Sequence, residues 1–136
     1  MDKTFQLEIV TPERQFYSGP VESLVLPALD GEYGVLPGHE PVVTAVEPGE
    51  VRYKADGVWH SVVVTQGLAE LMSDYAIVLV STAERPEEID VARAQRAKER
   101  AEERLRQHAS QQEYYRSKAA LARANARLHG SMRNRI

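Results

Sequence analysis

No cysteine occurs among the 136 residues. A disulfide frame and a thiolate metal site are both excluded, which suits a reducing compartment. No apolar stretch approaches the roughly 20 residues that cross a bilayer, and Met1 to Gln6 lacks the basic-then-apolar run of a secretory signal. The expectation is a cytosolic protein or one peripheral to a membrane, without direct membrane insertion. Phosphate-loop chemistry is missing too. Gly31, Gly34 and Gly38 are not followed by the Lys-Ser/Thr ending that such a loop requires, and they read better as turn residues or a docking loop. His39 beside Glu40 and the solitary His60 have no partners spaced as a metal set or a catalytic triad. They read as turn and surface histidines, no metal site from protein side chains is expected, and nothing here has the polar constellation of a free-standing enzyme.

What is present is a chain of two characters. With 43% hydrophobic residues it can bury one core and carry a small appendage. Residues 1 to 85 hold five Lys/Arg against thirteen Asp/Glu, whereas residues 86 to 136 hold twelve against seven. An acidic half and a basic half point to different partners. For the basic half these are acidic protein, nucleotide or nucleic acid, with a merely solvated helix surface as the competing reading.

The acidic half is β-patterned. Phe5, Leu7 and Ile9 alternate along a first strand, and Thr11-Pro12-Glu13-Arg14 turns the chain. Val21 to Leu26 reads as a strand ended by Pro27, and Asp30 to His39 is dense in turn formers. Asp56-Gly57 is the clearest hairpin signal, since a type I′ turn needs positive φ at both central residues. It places Val51 and Tyr53 against the strand Val58 to Val64. Tyr75 to Ser81 is a continuous apolar run expected at the centre of a sheet. About eight to ten short strands without helical period predict a sandwich or barrel.

The joint from Ala83 to Ala94 separates the halves. Pro86 stops a strand and suits a first helical turn, and Asp90 is a natural N-cap. A helix follows to His108, with Ala94, Ala97, Ala101 and Leu105 in one narrow stripe. Ser110 and Glu113 fit a capping box for a second helix from about Gln111 to Leu128 or beyond. Its inner face carries either Tyr114, Leu121 and Leu128 or Tyr115, Ala119, Ala122 and Ala126. Such a hairpin buries mainly alanines, at about 0.8 kcal/mol per buried carbon. With neither glycine nor proline in its linker, it can open into one long helix or remain a permanently docked pair. Folding back near residue 110 brings Arg93 level with Arg127 and Arg100 near Arg123, so four cations converge on a polyphosphate. Alternatively they splay into solvent or pair with Glu99, Glu102 and Glu103.

The order Leu7-Glu8-Ile9-Val10-Thr11-Pro12-Glu13-Arg14, Gly34-Val35-Leu36-Pro37-Gly38-His39, Ala83-Glu84-Arg85 and Ile89-Asp90-Val91-Ala92-Arg93-Ala94 closely resembles the epsilon subunit of bacterial F-type ATP synthase. The resemblance covers nearly the whole chain. It implies an α+β fold: a flattened β-sandwich of about ten strands over 1–85, docking to the gamma subunit and the c-ring, then an antiparallel two-helix hairpin over 86–136. It further implies that the hairpin, extended along gamma, inhibits ATP hydrolysis and, folded, permits activity. In some bacterial members ATP binds the folded hairpin through an Ile/Leu-Asp-x-x-Arg-Ala motif. That motif stands here as Ile89, Asp90, Arg93 and Ala94, with Glu84, Arg100, Arg123 and Arg127 at the other polar positions.

The implied role is regulatory, with ATP bound but not hydrolysed and a Mg²⁺ requirement left open. Tyr33, Leu36 and His39 fall at the implied rotor-facing surface; in the extended state the hairpin would meet the alpha and beta subunits, with Arg116, Arg123, Arg127 and Arg133 against the acidic segment of the catalytic beta subunits. The implied location is the cytoplasmic face of the bacterial plasma membrane. The contrasting reading is a stand-alone module whose basic helices bind an acidic protein or nucleic acid. The latter lacks stacking aromatics and faces an acidic sandwich.

Overall fold

Strict apolar alternation needs a second layer to bury its inner row, and in the computed structural model that layer is another sheet. The structure describes residues 3–106 and 111–134, with side chains over 3–106 and 115–132. One sheet is built from β1 (Phe5–Val10), β2 (Gln15–Val21), β5 (Val42–Val46), β8 (Gly67–Leu71) and β9 (Tyr75–Val80), in the order β2-β1-β9-β8-β5. The other contains β3 (Ser23–Ala28), β4 (Gly31–Val35), β6 (Gly49–Ala55), β7 (Val58–Val64) and β10 (Ala83–Glu84), in the order β10-β7-β6-β3-β4. Ten strands in two open sheets make a sandwich rather than a barrel. Leu7, Ile9, Leu24, Leu26, Val51, Val62, Leu71 and Val78 have no exposed surface, and Tyr53 fills the space between the layers.

Several local expectations are met. β9 sits in the centre of its sheet, pairing in parallel with β1 and antiparallel with β8. Asp56 (φ 51) and Gly57 (φ 76) both take positive φ, and the hairpin they close sets Tyr53 opposite His60 and Val51 opposite Val62. Gly67 has a separate requirement: a Cβ there would overlap the Leu79 carbonyl on the neighbouring strand.

Two readings change. Pro27 does not end its strand, because β3 runs on to Ala28 with Pro27 opposite Glu32 on β4. β6 pairs only with Ser23 to Val25, so one flank of Pro27 has no ladder to satisfy, and its carbonyl accepts the Glu47 amide at 2.9 Å. The glycine-dense run is likewise more than turn. Gly31–Val35 forms edge strand β4, entered through Gly31 at φ 119, and the chain then turns at Gly38, φ 83.

Past β10, Pro86–Glu88 makes a single 3₁₀ turn with proline in its first turn, and only then do α1 (Val91–Arg106) and α2 (Gln111–Asn134) begin. Ala94 and Ala101 are buried on α1, with Ala97 and Leu105 half-buried beside them, as the stripe requires. On α2 the face that carries Leu121 and Leu128 is the inner one, with Leu128 buried and Leu121 half-buried, and the alternative face is not. Tyr115, Ala119 and Ala122 are exposed, whereas Ser117, Ala124, Leu128 and Ser131 are buried along one side and Ala126 and Gly130 along another. A helix that packs on a second helix and also on a sheet buries two stripes, and small residues let it approach both closely. The proposed capping box and the side chain of Tyr114 lie outside the described residues. Among the described residues no helix is long and apolar enough to cross a membrane.

Candidate functional site

The joint between sandwich and hairpin is where polar side chains gather. Glu84 ends β10, and Ile89 is buried with Val63 of β7 and Ala126 of α2. Asp90 caps α1: its Oδ1 accepts the Arg93 amide at 3.0 Å, and its carbonyl accepts the Ala94 amide at 3.0 Å. α2 is tied to the same place by Arg127, whose Nε donates to Glu84 Oε1 at 2.7 Å and whose terminal nitrogen reaches Thr82 Oγ1 at 3.4 Å. Both partners of that ion pair are less than a third exposed.

Between these elements lies a groove of about 420 Å³, within the usual size range of small-molecule sites, about 300–1,000 Å³. Of the eight positions singled out at the joint and hairpin, six line it: Glu84, Asp90, Arg93, Ala94, Arg100 and Arg127. Ile89 is instead part of the apolar floor, and Arg123, half-buried one turn before Arg127, is not among the lining residues. The groove therefore combines three arginines with three carboxylates, Glu88 being the one not foreseen. Arg93 and Arg100 are exposed, and among the described residues their guanidinium groups have no hydrogen-bond or ion-pair partner. They are donors free to take an anion, while Arg127 is already engaged. Ala97 and Ala124 complete the lining; the alanine stripe of α1 pointed to the first, and the second lies between Leu121 and Leu128 on one of the two faces expected for α2.

Tyr33, Leu36 and His39 form a separate constellation at the β4 edge. His39 Nδ1 lies 2.6 Å from the Glu40 carbonyl, which can only accept, so the ring proton sits on Nδ1 and Nε2 receives the Tyr33 hydroxyl at 2.9 Å. The two rings meet edge-on at 5.6 Å between centroids. Leu36 beside them is 63% exposed, enough to contact another molecule. Of the extended-state arginines, Arg116 is exposed, Arg123 is half-buried and Arg127 is held by Glu84; the side chain of Arg133 lies outside the described residues.

The described residues thus form a ten-stranded sandwich that carries a helical hairpin, with a charged groove at their joint. Residues 4–86 match the family model described as ATP synthase, Delta/Epsilon chain, beta-sandwich domain, and residues 87–130 match ATP synthase, Delta/Epsilon chain, long alpha-helix domain. The chain belongs to the ATP synthase epsilon chain family. It is 53% identical to the ATP synthase epsilon chain of Ruminiclostridium cellulolyticum, over 97% of this chain and 98% of that one. It is 49% identical to the epsilon chain of Caldanaerobacter subterraneus subsp. tengcongensis, over 94% of each. Its fold is shared by a chain in the cryo-EM structure of Euglena gracilis mitochondrial ATP synthase, OSCP/F1/c-ring in rotational state 1. There the TM-score is 0.83 at 22% identity, covering 97% of this chain and 83% of that one.

Proposed function

We propose that this chain is a non-catalytic central-stalk subunit of a proton-translocating F-type ATP synthase, peripheral at the cytoplasmic face of the plasma membrane. Its sandwich couples the gamma subunit to the c-ring, with Tyr33, Leu36 and His39 in the rotor-facing edge. Its hairpin permits ATP hydrolysis when folded and inhibits it when extended along gamma toward the alpha and beta subunits. ATP binds the folded form at the joint and is not hydrolysed. The observation that carries the nucleotide reading is the groove in which Arg93 and Arg100 present unpaired guanidinium groups beside Arg127. Forked donors of this kind hold phosphate oxygens bidentately. The Asp90 and Glu84 carboxylates are acceptors suited to hydroxyl or amino groups at the other end of the ligand.

Because the groove takes residues from β10, α1 and α2 together, a ligand there favours the folded hairpin by binding it better than the extended one. Calorimetric titration with ATP tests this. Arg93→Gln with Arg100→Gln is expected to weaken binding at least tenfold, since charge-assisted bonds contribute about 1.5–3 kcal/mol each, while thermal unfolding of the sandwich is unchanged. Equal affinity in wild type and double variant would remove the groove as the site.

A further inference from the structure

We infer that Gly130 sets the balance between docked and released hairpin, acting in opposite directions on the two states. The inference rests on the folded and extended states proposed above. α2 lies against β6 and β7, and at Gly130 the approach leaves no space for a methyl group. A Cβ would fall far inside contact distance of Val63 Cγ2 and within 3.6 Å of Glu50 Oε1. Val63 has little room to turn aside, because its β-branched side chain is restricted at χ1 and it is 3% exposed, packed with Ile89 and Ala126. In the docked state glycine is what lets the helix reach the sheet.

In the released state the same residue is a liability. Away from the sheet, a glycine inside a helix is less favourable than alanine by an amount worth roughly fivefold in the helical population. One methyl at position 130 therefore weakens docking through the clash and strengthens the free helix through propensity. Arg127 and its Glu84 ion pair, one turn earlier on α2, add a polar tether that the substitution leaves chemically intact. The lever is separable from the groove, because Gly130 does not line it but lines a neighbouring cleft with Trp59 and Arg85.

Hydrogen exchange of the full chain, read by mass spectrometry, tests the inference with Gly130→Ala and with Gly130→Ala combined with Val63→Ala, which removes the clashing methyl. Trp59, the chain's single tryptophan and a neighbour of Gly130 in that cleft, supplies an independent fluorescence signal. In Gly130→Ala, exchange over 117–131 is expected to quicken by fivefold or more with β9 unaffected and Trp59 emission altered. In the double variant, exchange returns toward wild type. Unchanged exchange in Gly130→Ala overturns the inference, as does a double variant no slower than the single, or an equal quickening in β9. The ATP arm is independent: failure of ATP to slow exchange in the wild-type hairpin sinks the nucleotide reading and leaves the Gly130 result standing.

Discussion

Sandwich and hairpin solve the same packing problem with different residues. The sandwich buries Leu7, Ile9, Leu24, Leu26, Leu71 and a full Tyr53, whereas the hairpin buries Ala94, Ala101, Ala124, Ala126, Ser117 and Ser131, with Leu128 the largest buried among its described residues. Burying apolar area contributes about 25 cal/mol per Å², so a leucine or tyrosine core outweighs an alanine seam several-fold. The difference teaches where each unit's stability lies. The sandwich is held by bulk that must unpack all at once; among the described residues the hairpin is held to it by close approach, by the Asp90 cap at the joint and by the Arg127–Glu84 ion pair. An element that must leave and return is better built the second way.

The most forceful way to break this contrast is Leu7→Ala. Leu7 is fully buried on β1, between β2 and β9, and the substitution is expected to cost about 2–5 kcal/mol, lowering the denaturant midpoint of strands and helices together. A loss confined to the helices would contradict the assignment of global stability to the sandwich. Asp90→Ala sharpens the contrast from the other side. It removes the acceptor of the Arg93 amide and is expected to cost about 1 kcal/mol, visible as faster exchange at the start of α1 with the sandwich midpoint unchanged. Asp90→Asn, which keeps an acceptor, should restore most of the protection.

The smallest effect is at high pH. Burial chiefly, then the neighbouring Tyr53 and Asp56, raise the Tyr17 hydroxyl above its ordinary value, against the opposing pull of Arg85. The folded state thus favours the neutral phenol. Its contribution is fully present below the unfolded tyrosine value of about 10, and is lost as pH rises through the raised folded value. Denaturant midpoints at pH 8 and pH 11 should fall less in Tyr17→Phe than in wild type. An identical fall would place the alkaline sensitivity elsewhere.

How far the sequence could be read follows the same division. Period-two alternation, the Asp56-Gly57 turn and the apolar run of β9 are statements about bulky residues and special φ angles, and they located β1, the β6–β7 hairpin and the central strand. Pro27 and the Gly31–Val35 strand were hidden because their tolerance depends on which neighbour is missing, a property of the assembled sheet. On α2, Leu121 and Leu128 marked one inner face, but the second was hidden for another reason: Tyr115, Ala119 and Ala122 are exposed, and the positions that pack there are Ala126 and Gly130, chosen for smallness. At the joint, Asp90 as a cap was legible from residue type alone, whereas the spacing of Arg93, Arg100 and Arg127 left open whether they gather or splay into solvent; all three line the groove. Arg123 and Glu88 exchanged places in the groove lining because helix rotation, which small residues do not report, decides which side chains face inward.

The parallel pairing of β1 with β9 has a consequence for how the chain assembles. Gln6 to Val10 can pair with Tyr75 to Leu79 only when nearly the whole sandwich has been synthesised. Such distant contacts are slow to form because a long loop must close first. Val63 on β7 and Ile89 beyond β10, on which α2 rests, also precede α2 in the chain. During synthesis the helices follow the sandwich, so the order of translation already places the movable part last, after the surface that receives it.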